Sequence, residues 1–293
     1  ISPGMGLKFC LSHPNQIKHL KGAVQAIGKI GSDLLIEAIP EQLILRGINS
    51  ARSAYISVTF HNGFFDVYAL HDTPVVQTSV LIKSLLAVFR SQKIRSLEVE
   101  VKTAEPVMTF SVECGNGLRK HFAVNCTATE ILQASVDKEQ FPVTVIAETG
   151  ELNKLLSTFQ SSLDEVVIVC NPMTEAIPAA KPVQLHSFYD PAKGNTAKAL
   201  RTQLAIDTHH VFLNYSNTLG AATDVTFNVK DFKCMVQLCE AMPANTILRF
   251  DQPGQPLVVE PHLNAGALEE LQYEAELVLA TLMESQSSRM PPG

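Results

Sequence analysis

An α+β fold of two similar domains, with helices on one face of antiparallel sheets, follows from three features of this 293-residue sequence. A unit of one strand, one amphipathic helix and three strands can be laid out four times along it, and repetition on that scale decides the architecture before any motif does. The hydrophobic content of 46% is enough for two cores of ordinary size, since domains usually run to ~100–200 residues. A polar stretch without strand alternation separates the second repeat from the third.

The first repeat reads as a strand over Leu7 to Leu11 and a helix over Asn15 to Lys29, in which Ile17, Leu20, Val24 and Ile27 recur at helical spacing. Strand runs follow over Asp33 to Ile39, Gln42 to Ile48 and Ser53 to Phe60. The second repeat has a strand over Val76 to Leu81, a helix over Ile82 to Ser91, and strands over Ser96 to Lys102, Pro106 to Glu113 and Leu118 to Asn125. Between the last two, Cys114-Gly115-Asn116-Gly117 is a hairpin turn whose Asn-Gly pair supplies positive φ. The third repeat runs through Pro142 to Ala147, a helix over Glu148 to Gln160, then Glu165 to Asn171, Pro182 to Tyr189 and Ala199 to Ile206. The fourth has Asp224 to Asn228, a helix over Val229 to Met242, then Thr246 to Asp251, Leu257 to Pro261 and Tyr273 to Leu282.

These elements predict an N-terminal domain over 5–125, a connector over 126–141 and a C-terminal domain over 142–283. Residues 284–293 are too poor in apolar side chains to pack and read as the start of a disordered tail. A short helix over Glu130 to Ala134 would leave part of the Ile131-Leu132 pair exposed. The loops Pro172 to Lys181 and Asp190 to Asn195 are excursions between strands. Ile1 to Gly4, ahead of Met5, is set aside from the fold, and no signal peptide is expected before the first strand. The apolar region from Phe64 to Phe89 is broken by Asp66, Asp72 and Lys83, so no membrane span is predicted. The six cysteines, Cys10, Cys114, Cys126, Cys170, Cys234 and Cys239, lack paired spacing and read as reduced, packed thiols of an intracellular protein.

The location of charge contradicts its total. The chain is at −6, yet the first helix carries Lys18, Lys21 and Lys29 without an acid, and the segment 83–95 carries Lys83, Arg90, Lys93 and Arg95 without one. The third helix sets Lys154 against Glu148 and Glu151; the fourth sets Lys230 and Lys233 against Asp231 and Glu240. At 100° per residue, Lys18, Lys21, Gln25 and Lys29 share one face and the apolar set another. Lys83, Ala87 and Arg90 lie opposite Leu85 and Phe89, and Lys230, Lys233 and Gln237 lie away from Phe232, Met235 and Cys239. A single face of this kind means a solvated surface. Four in equivalent repeat positions point instead to a polyanion, held through phosphates without sequence reading. The absence of Trp and the presence of only five Tyr disfavour recognition by base stacking. Double-stranded DNA is therefore the expected partner, with Lys18, Lys21, Lys29, Lys83, Arg90, Lys93, Arg95, Lys154, Lys230 and Lys233 facing it.

Catalysis has no visible home in the sequence. Metal-assisted phosphodiester cleavage needs converging carboxylates. The nearest pair, Glu98 and Glu100, shares a strand face with Lys102 and reads as solvated surface. His209 and His210 point to opposite sides if extended, so no metal-ligand set forms there. No metal and no cofactor are expected.

Several runs resemble the sliding DNA clamps. Pro256-Leu257-Val258-Val259-Glu260 is similar to the corresponding strand of the proliferating-cell nuclear antigen. A closer resemblance is to the Rad nine subunits of the nine-one-one checkpoint clamps. It is carried by Leu45-Arg46, Asn49-Ser50, Arg52-Ser53-Ala54-Tyr55, Phe60, Phe64-Phe65 and Tyr68. Lys83-Ser84, Val88-Phe89-Arg90-Ser91, Thr196-Ala197-Lys198-Ala199, Phe250-Asp251 with Pro253-Gly254, and Val278-Leu279-Ala280-Thr281-Leu282 carry it further. The aromatic positions in these runs also suit core packing.

This resemblance implies a DNA-clamp fold in a nuclear, non-catalytic subunit of a ring that marks damaged or stalled DNA and recruits checkpoint and repair proteins. It implies two other clamp subunits, Rad one and Hus one relatives joined by edge strands, and a clamp loader, with no membrane. Cys114 to Val124 and Val166 to Asn171 are the candidate edges. It also implies a partner-peptide pocket of Ile48, Arg52, Tyr55, Ile131 and Pro256. A homotrimeric replication processivity clamp is the alternative within the class. A metal-dependent 3′–5′ exonuclease is the alternative outside it, since such an activity has been attributed to the family. The family's regulatory tail is not covered by these residues, and the loop from Pro172 to Lys181 is unlike the family's.

Overall fold

The computed structural model of the chain describes residues 5–91, 93–102, 106–127, 129, 134, 136–172, 182–190, 200–206, 211–263 and 272–285. Two compact units emerge, one of residues 1–134 with 263–275 and one of residues 135–262 with 276–293. The return of 263–275 to the first unit cannot be expressed by a linear cut of the chain.

In the first unit, β1 (Met5–Leu11) leads through α1 (Pro14–Ile30) to β2 (Asp33–Ile39), β3 (Gln42–Ile48), β4 (Ala54–His61) and β5 (Val67–Leu70). Then β6 (Val76–Leu81) leads through α2 (Ile82–Val88) to β7 (Ile94–Lys102), β8 (Val107–Cys114) and β9 (Arg119–Asn125). The second unit repeats the order with β10 (Val143–Ala147), α3 (Thr149–Ser157), β11 (Glu165–Cys170), β12 (Val183–Phe188), β13 (Gln203–Ile206) and β14 (Phe212–Asn217). It continues with β15 (Thr223–Asn228), α4 (Val229–Ala241), β16 (Asn245–Phe250), β17 (Leu257–His262) and β18 (Tyr273–Leu279), of which the part from Glu276 belongs to this unit. The four expected repeats are present, and each half holds one strand more than expected, β5 and β14.

The repeats exchange their first strands. In the first unit the sheets are ordered β5-β1-β7-β8-β9 and β6-β2-β3-β4, so β1 joins the strands of the second repeat and β6 those of the first. The second unit does the same, with β14-β10-β16-β17-β18 and β13-β12-β11-β15. All these pairings are antiparallel. Neither repeat can bury its apolar face alone, and the exchange locks the two around one core. Phe9, Leu34, Leu45, Val99 and Phe110 from the sheets line the same small cavity as Leu20 and Val24 of α1 and Leu85 beside Phe89.

Local sequence explains the helix boundaries. α1 starts at a capping box, with His13 Nδ1 accepting from Asn15 N–H at 3.3 Å and Gln16 Oε1 accepting from His13 N–H at 3.1 Å, and Pro14 sits where no N–H is needed. It buries Ile17, Leu20, Val24 and Ile27, as the periodicity predicts. α2 stops at Val88, three residues before the expected end, and Arg90 and Ser91 continue in turn hydrogen bonds to Ala87 and Val88. α3 stops at Ser157 rather than Gln160, because the Ser157 and Thr158 hydroxyls donate to the carbonyls of Lys154 and Leu155. The hairpin between β8 and β9 forms as expected, with Gly117 at φ 80° and Cys114 N–H donating to Leu118 O at 2.9 Å.

All six cysteines are free thiols, with five buried and Cys10 half-buried. Burial pushes the Cys170 and Cys239 thiols up to about 12. Phe60, Phe64, Phe65 and Tyr273 form an aromatic cluster with centroid separations from 4.6 to 6.2 Å, so the run that carries much of the family resemblance is core. Tyr68 lies over the β2–β3 turn and donates to Ile39 O and Gln42 O. No described helix is long and apolar enough to cross a membrane. The expected short helix from Glu130 lies almost wholly outside the described residues, as do most of the loop from Pro172 and of that from Asp190, residues His209 and His210, and the chain from 286 onward.

Candidate nucleic-acid interface

α1 and α2 pack side by side through Gly28, where an added Cβ would lie only 2.8 Å from Ile82 Cγ2 and 3.7 Å from Leu86 Cδ1. That close approach brings the Lys29 end of α1 to the Lys83 end of α2. Lys18 and Lys29 of α1 and Lys83 of α2 are exposed, while Lys21 is half-buried. Arg90, Lys93 and Arg95 follow α2 and are also exposed. Lys93 takes a left-handed φ of 50°, and its carbonyl accepts from Gly115 N–H at 2.8 Å, which ties the strand entering β7 to the β8–β9 hairpin. Lys18, Lys21, Lys83, Arg90, Lys93 and Arg95 form no ion pair among the described residues.

One further cation belongs to this surface and was not predicted. Lys120 pairs with Val112 across β8 and β9, so its side chain leaves the sheet on the face where Val112 is buried. Its Nζ reaches Ser91 Oγ at 3.2 Å, beside Arg90 and Lys93. The signal was present in the alternation Lys120, Phe122, Val124: a lysine in the register of core residues at a strand's end marks the rim of the covered face.

In the second unit the predicted cations have acidic company. Lys154 Nζ lies 2.7 Å from Glu151 Oε1, and Lys230 Nζ lies 2.7 Å from Asp164 Oδ1. Hydrogen bonding and charge from Glu151 hold the Lys154 ammonium above its usual range. Lys233 is half-buried, and desolvation holds it below the usual range. Glu148 caps α3, accepting from Gly150 and Glu151 N–H, and Glu240 of α4 accepts from Asn153 of α3 at 3.0 Å.

The carboxylates weighed as a nuclease pair, Glu98 and Glu100, both engage Lys8, at 3.0 and 2.9 Å. They hold Lys8 well above the usual lysine range. Among the described residues no group of three or more His, Cys, Asp or Glu is placed to hold a metal. Of the docking residues, Ile48 is half-buried at the end of β3, Arg52 is exposed at a φ of 55°, and Pro256 is half-buried before β17. Ile131 lies outside the described residues. Tyr55 is 8% exposed with its hydroxyl accepting from Arg46 Nε at 3.1 Å, so it offers little surface to a peptide. The candidate edge Val166 to Asn171 is corrected: it is β11, hydrogen-bonded to β12 on one side and β15 on the other, with neither edge left to pair. β9, within the other candidate, ends its sheet.

A family model described as Rad9 matches residues 20–282. The chain belongs to the Rad9 family. The cell cycle checkpoint control protein Rad9 of Drosophila melanogaster is 24% identical over 255 residues, covering 87% of this chain and 53% of the relative. The DNA repair protein rad9 of Schizosaccharomyces octosporus is 23% identical over 317 residues, covering 94% of this chain and 70% of the relative. This Rad9 family chain thus spans about half the length of the fruit-fly relative. Among solved structures, the PCNA2-PCNA3 complex of Sulfolobus tokodaii matches with a TM-score of 0.70 at 12% identity, covering 94% of this chain and 100% of that one. The proliferating cellular nuclear antigen of Entamoeba histolytica matches with a TM-score of 0.71 at 12% identity, covering 94% of this chain and 99% of that one. At that identity the likeness establishes the fold, an α+β clamp architecture of the PCNA type.

Proposed function

We propose that this Rad9 family chain is a non-catalytic subunit of a heterotrimeric ring that encircles duplex DNA in the nucleus and recruits checkpoint and repair proteins there. The observation that carries the reading is the helical surface of the first unit, where Lys18, Lys21, Lys83 and Arg90 stand without acidic partners among the described residues while the chain as a whole is at −6. Such a surface attracts the phosphate backbone without reading sequence, and the acidic remainder repels DNA elsewhere. The other two subunits would be the Rad one and Hus one relatives, with β9 among the contacting edges because heterologous pairing removes an open strand edge. Of the first unit's docking residues, Ile48 and Arg52 have surface left to offer a partner peptide, and Pro256 of the second unit is half-buried like Ile48. The coupling of Glu98 and Glu100 to Lys8 supports a structural role for that pair.

Charge reversal at Lys18, Lys21, Lys83 and Arg90 tests the DNA-facing assignment. The variant is expected to lose retention on duplex DNA and to show a flatter salt dependence, and unchanged retention would sink the assignment. Size-exclusion chromatography with light scattering tests the assembly, where a self-assembled trimer would favour the homotrimeric processivity clamp. DNA degradation that needs added metal and stops in Glu98→Gln/Glu100→Gln would favour the nuclease.

A further inference from the structure

We propose, resting on the DNA-binding reading above, that the grip on duplex DNA is one-sided within this chain: the first unit's helical surface holds phosphates, and the second unit's helices form an electrically neutral wall. Between Pro14 and Ile30 and between Ile82 and Arg95 there are seven Lys or Arg and no Asp or Glu. Lys120 adds to that surface, donates to the uncharged Ser91 hydroxyl at 3.2 Å, and forms no ion pair among the described residues. On the second unit, Lys154 and Lys230 each have a carboxylate oxygen at 2.7 Å, and α3 and α4 together carry Lys154, Lys230 and Lys233 against Glu151, Asp231 and Glu240.

The difference matters because affinity for DNA comes from counterion release. A phosphate neutralised by a free cation contributes ~0.9 to the slope of log K against log salt. A lysine already paired to a carboxylate must leave that pair to reach a phosphate, and the carboxylate stays behind to repel it. The local charge sums to nothing in either geometry. Exposed pairs of this kind are weak in themselves, so it is their neutrality that removes the second unit from phosphate binding.

Three variants of the full chain, in the oligomer it forms in solution, separate the possibilities by anisotropy of a labelled duplex across a salt series. Lys18→Gln/Lys83→Gln/Arg90→Gln is expected to weaken binding and flatten the slope by about 2–3. Lys154→Gln/Lys230→Gln/Glu151→Gln/Asp164→Asn, which removes both pairs whole, is expected to leave the slope unchanged. Glu151→Gln/Asp164→Asn unmasks two lysines and is expected to tighten binding and steepen the slope by about 2. If removing the pairs flattens the slope as much as the first variant does, or unmasking gives no gain, the one-sided grip is wrong while the DNA reading stands. If no variant changes duplex binding, the DNA reading itself fails and takes this inference with it.

Discussion

Glu37→Gln should destabilise the first unit far more than its half-exposed position suggests, because it strands a buried cation. The Arg46 side chain is 3% exposed, its Nη2 lies 2.8 Å from Glu37 Oε2, and its Nε donates to Tyr55 Oη at 3.1 Å. Nη1 has no hydrogen-bond partner among the described residues. Glu37 is the only carboxylate paired with this guanidinium among the described residues, and it also accepts from Gln77 Nε2 at 2.7 Å. The three residues lie on adjacent strands in the order β6, β2, β3, with Gln77 directly opposite Glu37 and Arg46 diagonal to it. Breaking a buried pair by removing one partner costs ~3–5 kcal/mol. Glu37 is 19% exposed, so water reaches the gap and the expected cost falls to about 2–3 kcal/mol. For a unit of this size that is a fall in Tm of roughly 4–12 °C. Urea unfolding followed by circular dichroism gives the free energy, with Glu37→Leu/Arg46→Met as the control that removes both charges together. The control should lie within about 1.5 kcal/mol of the parent chain, because apolar groups of similar volume replace a buried pair at little cost. A Glu37→Gln chain as stable as the parent, or a control destabilised equally, would refute the claim that stranding the guanidinium causes the loss.

Two further perturbations follow from the seating of α1. An alanine Cβ at Gly47 would sit 2.4 Å from Ile27 Cγ2, so Gly47→Ala should cost about 1–3 kcal/mol in urea unfolding, with partial recovery when combined with Ile27→Leu, which lacks that β-branch methyl. Burial, and secondarily the charge of Lys18, hold His19 below the ordinary histidine range while its ring packs on Tyr273 at 5.1 Å. The unfolded chain therefore binds this proton more readily, so the stabilisation is complete above pH ~6.5 and is lost as pH falls from there through the folded value. His19→Gln should flatten stability against pH between about 7 and 5; a profile that keeps its slope would place the titration elsewhere.

Secondary structure was legible where burial is one-sided. In β8, Met108, Phe110, Val112 and Cys114 are buried and alternate with half-buried residues, so the period shows directly in the sequence. β5 and β14 escaped for the opposite reason. β5 has only four residues, and β14 exposes Leu213 and Asn214 in succession, so neither carries a clean alternation. Both owe their existence to a neighbour, β1 and β10 respectively, whose hydrogen bonds they complete. The exchange of first strands between repeats was equally invisible, since the residues of β1 suit either sheet and only the shared core decides between them.

Charge was legible by amount and illegible by pairing, and that difference governs how the interface should be understood. The acid-free character of α1 and of 82–95 is a property of contiguous sequence, so the first unit's cations are legible as a surface from the sequence alone. Lys154 and Glu151 are three residues apart on one helix, a spacing at which pairing could have been expected. Lys230 is different. Its partner, Asp164, stands 66 positions earlier, just ahead of β11, and is delivered by the antiparallel pairing of β11 with β15. The same pairing that builds the sheet therefore sets the electrostatics of the helix that follows it. Helical lysines alike in sequence thus differ in electrostatic surroundings: a cation's value to a polyanion depends on whether the fold has already supplied it with a carboxylate.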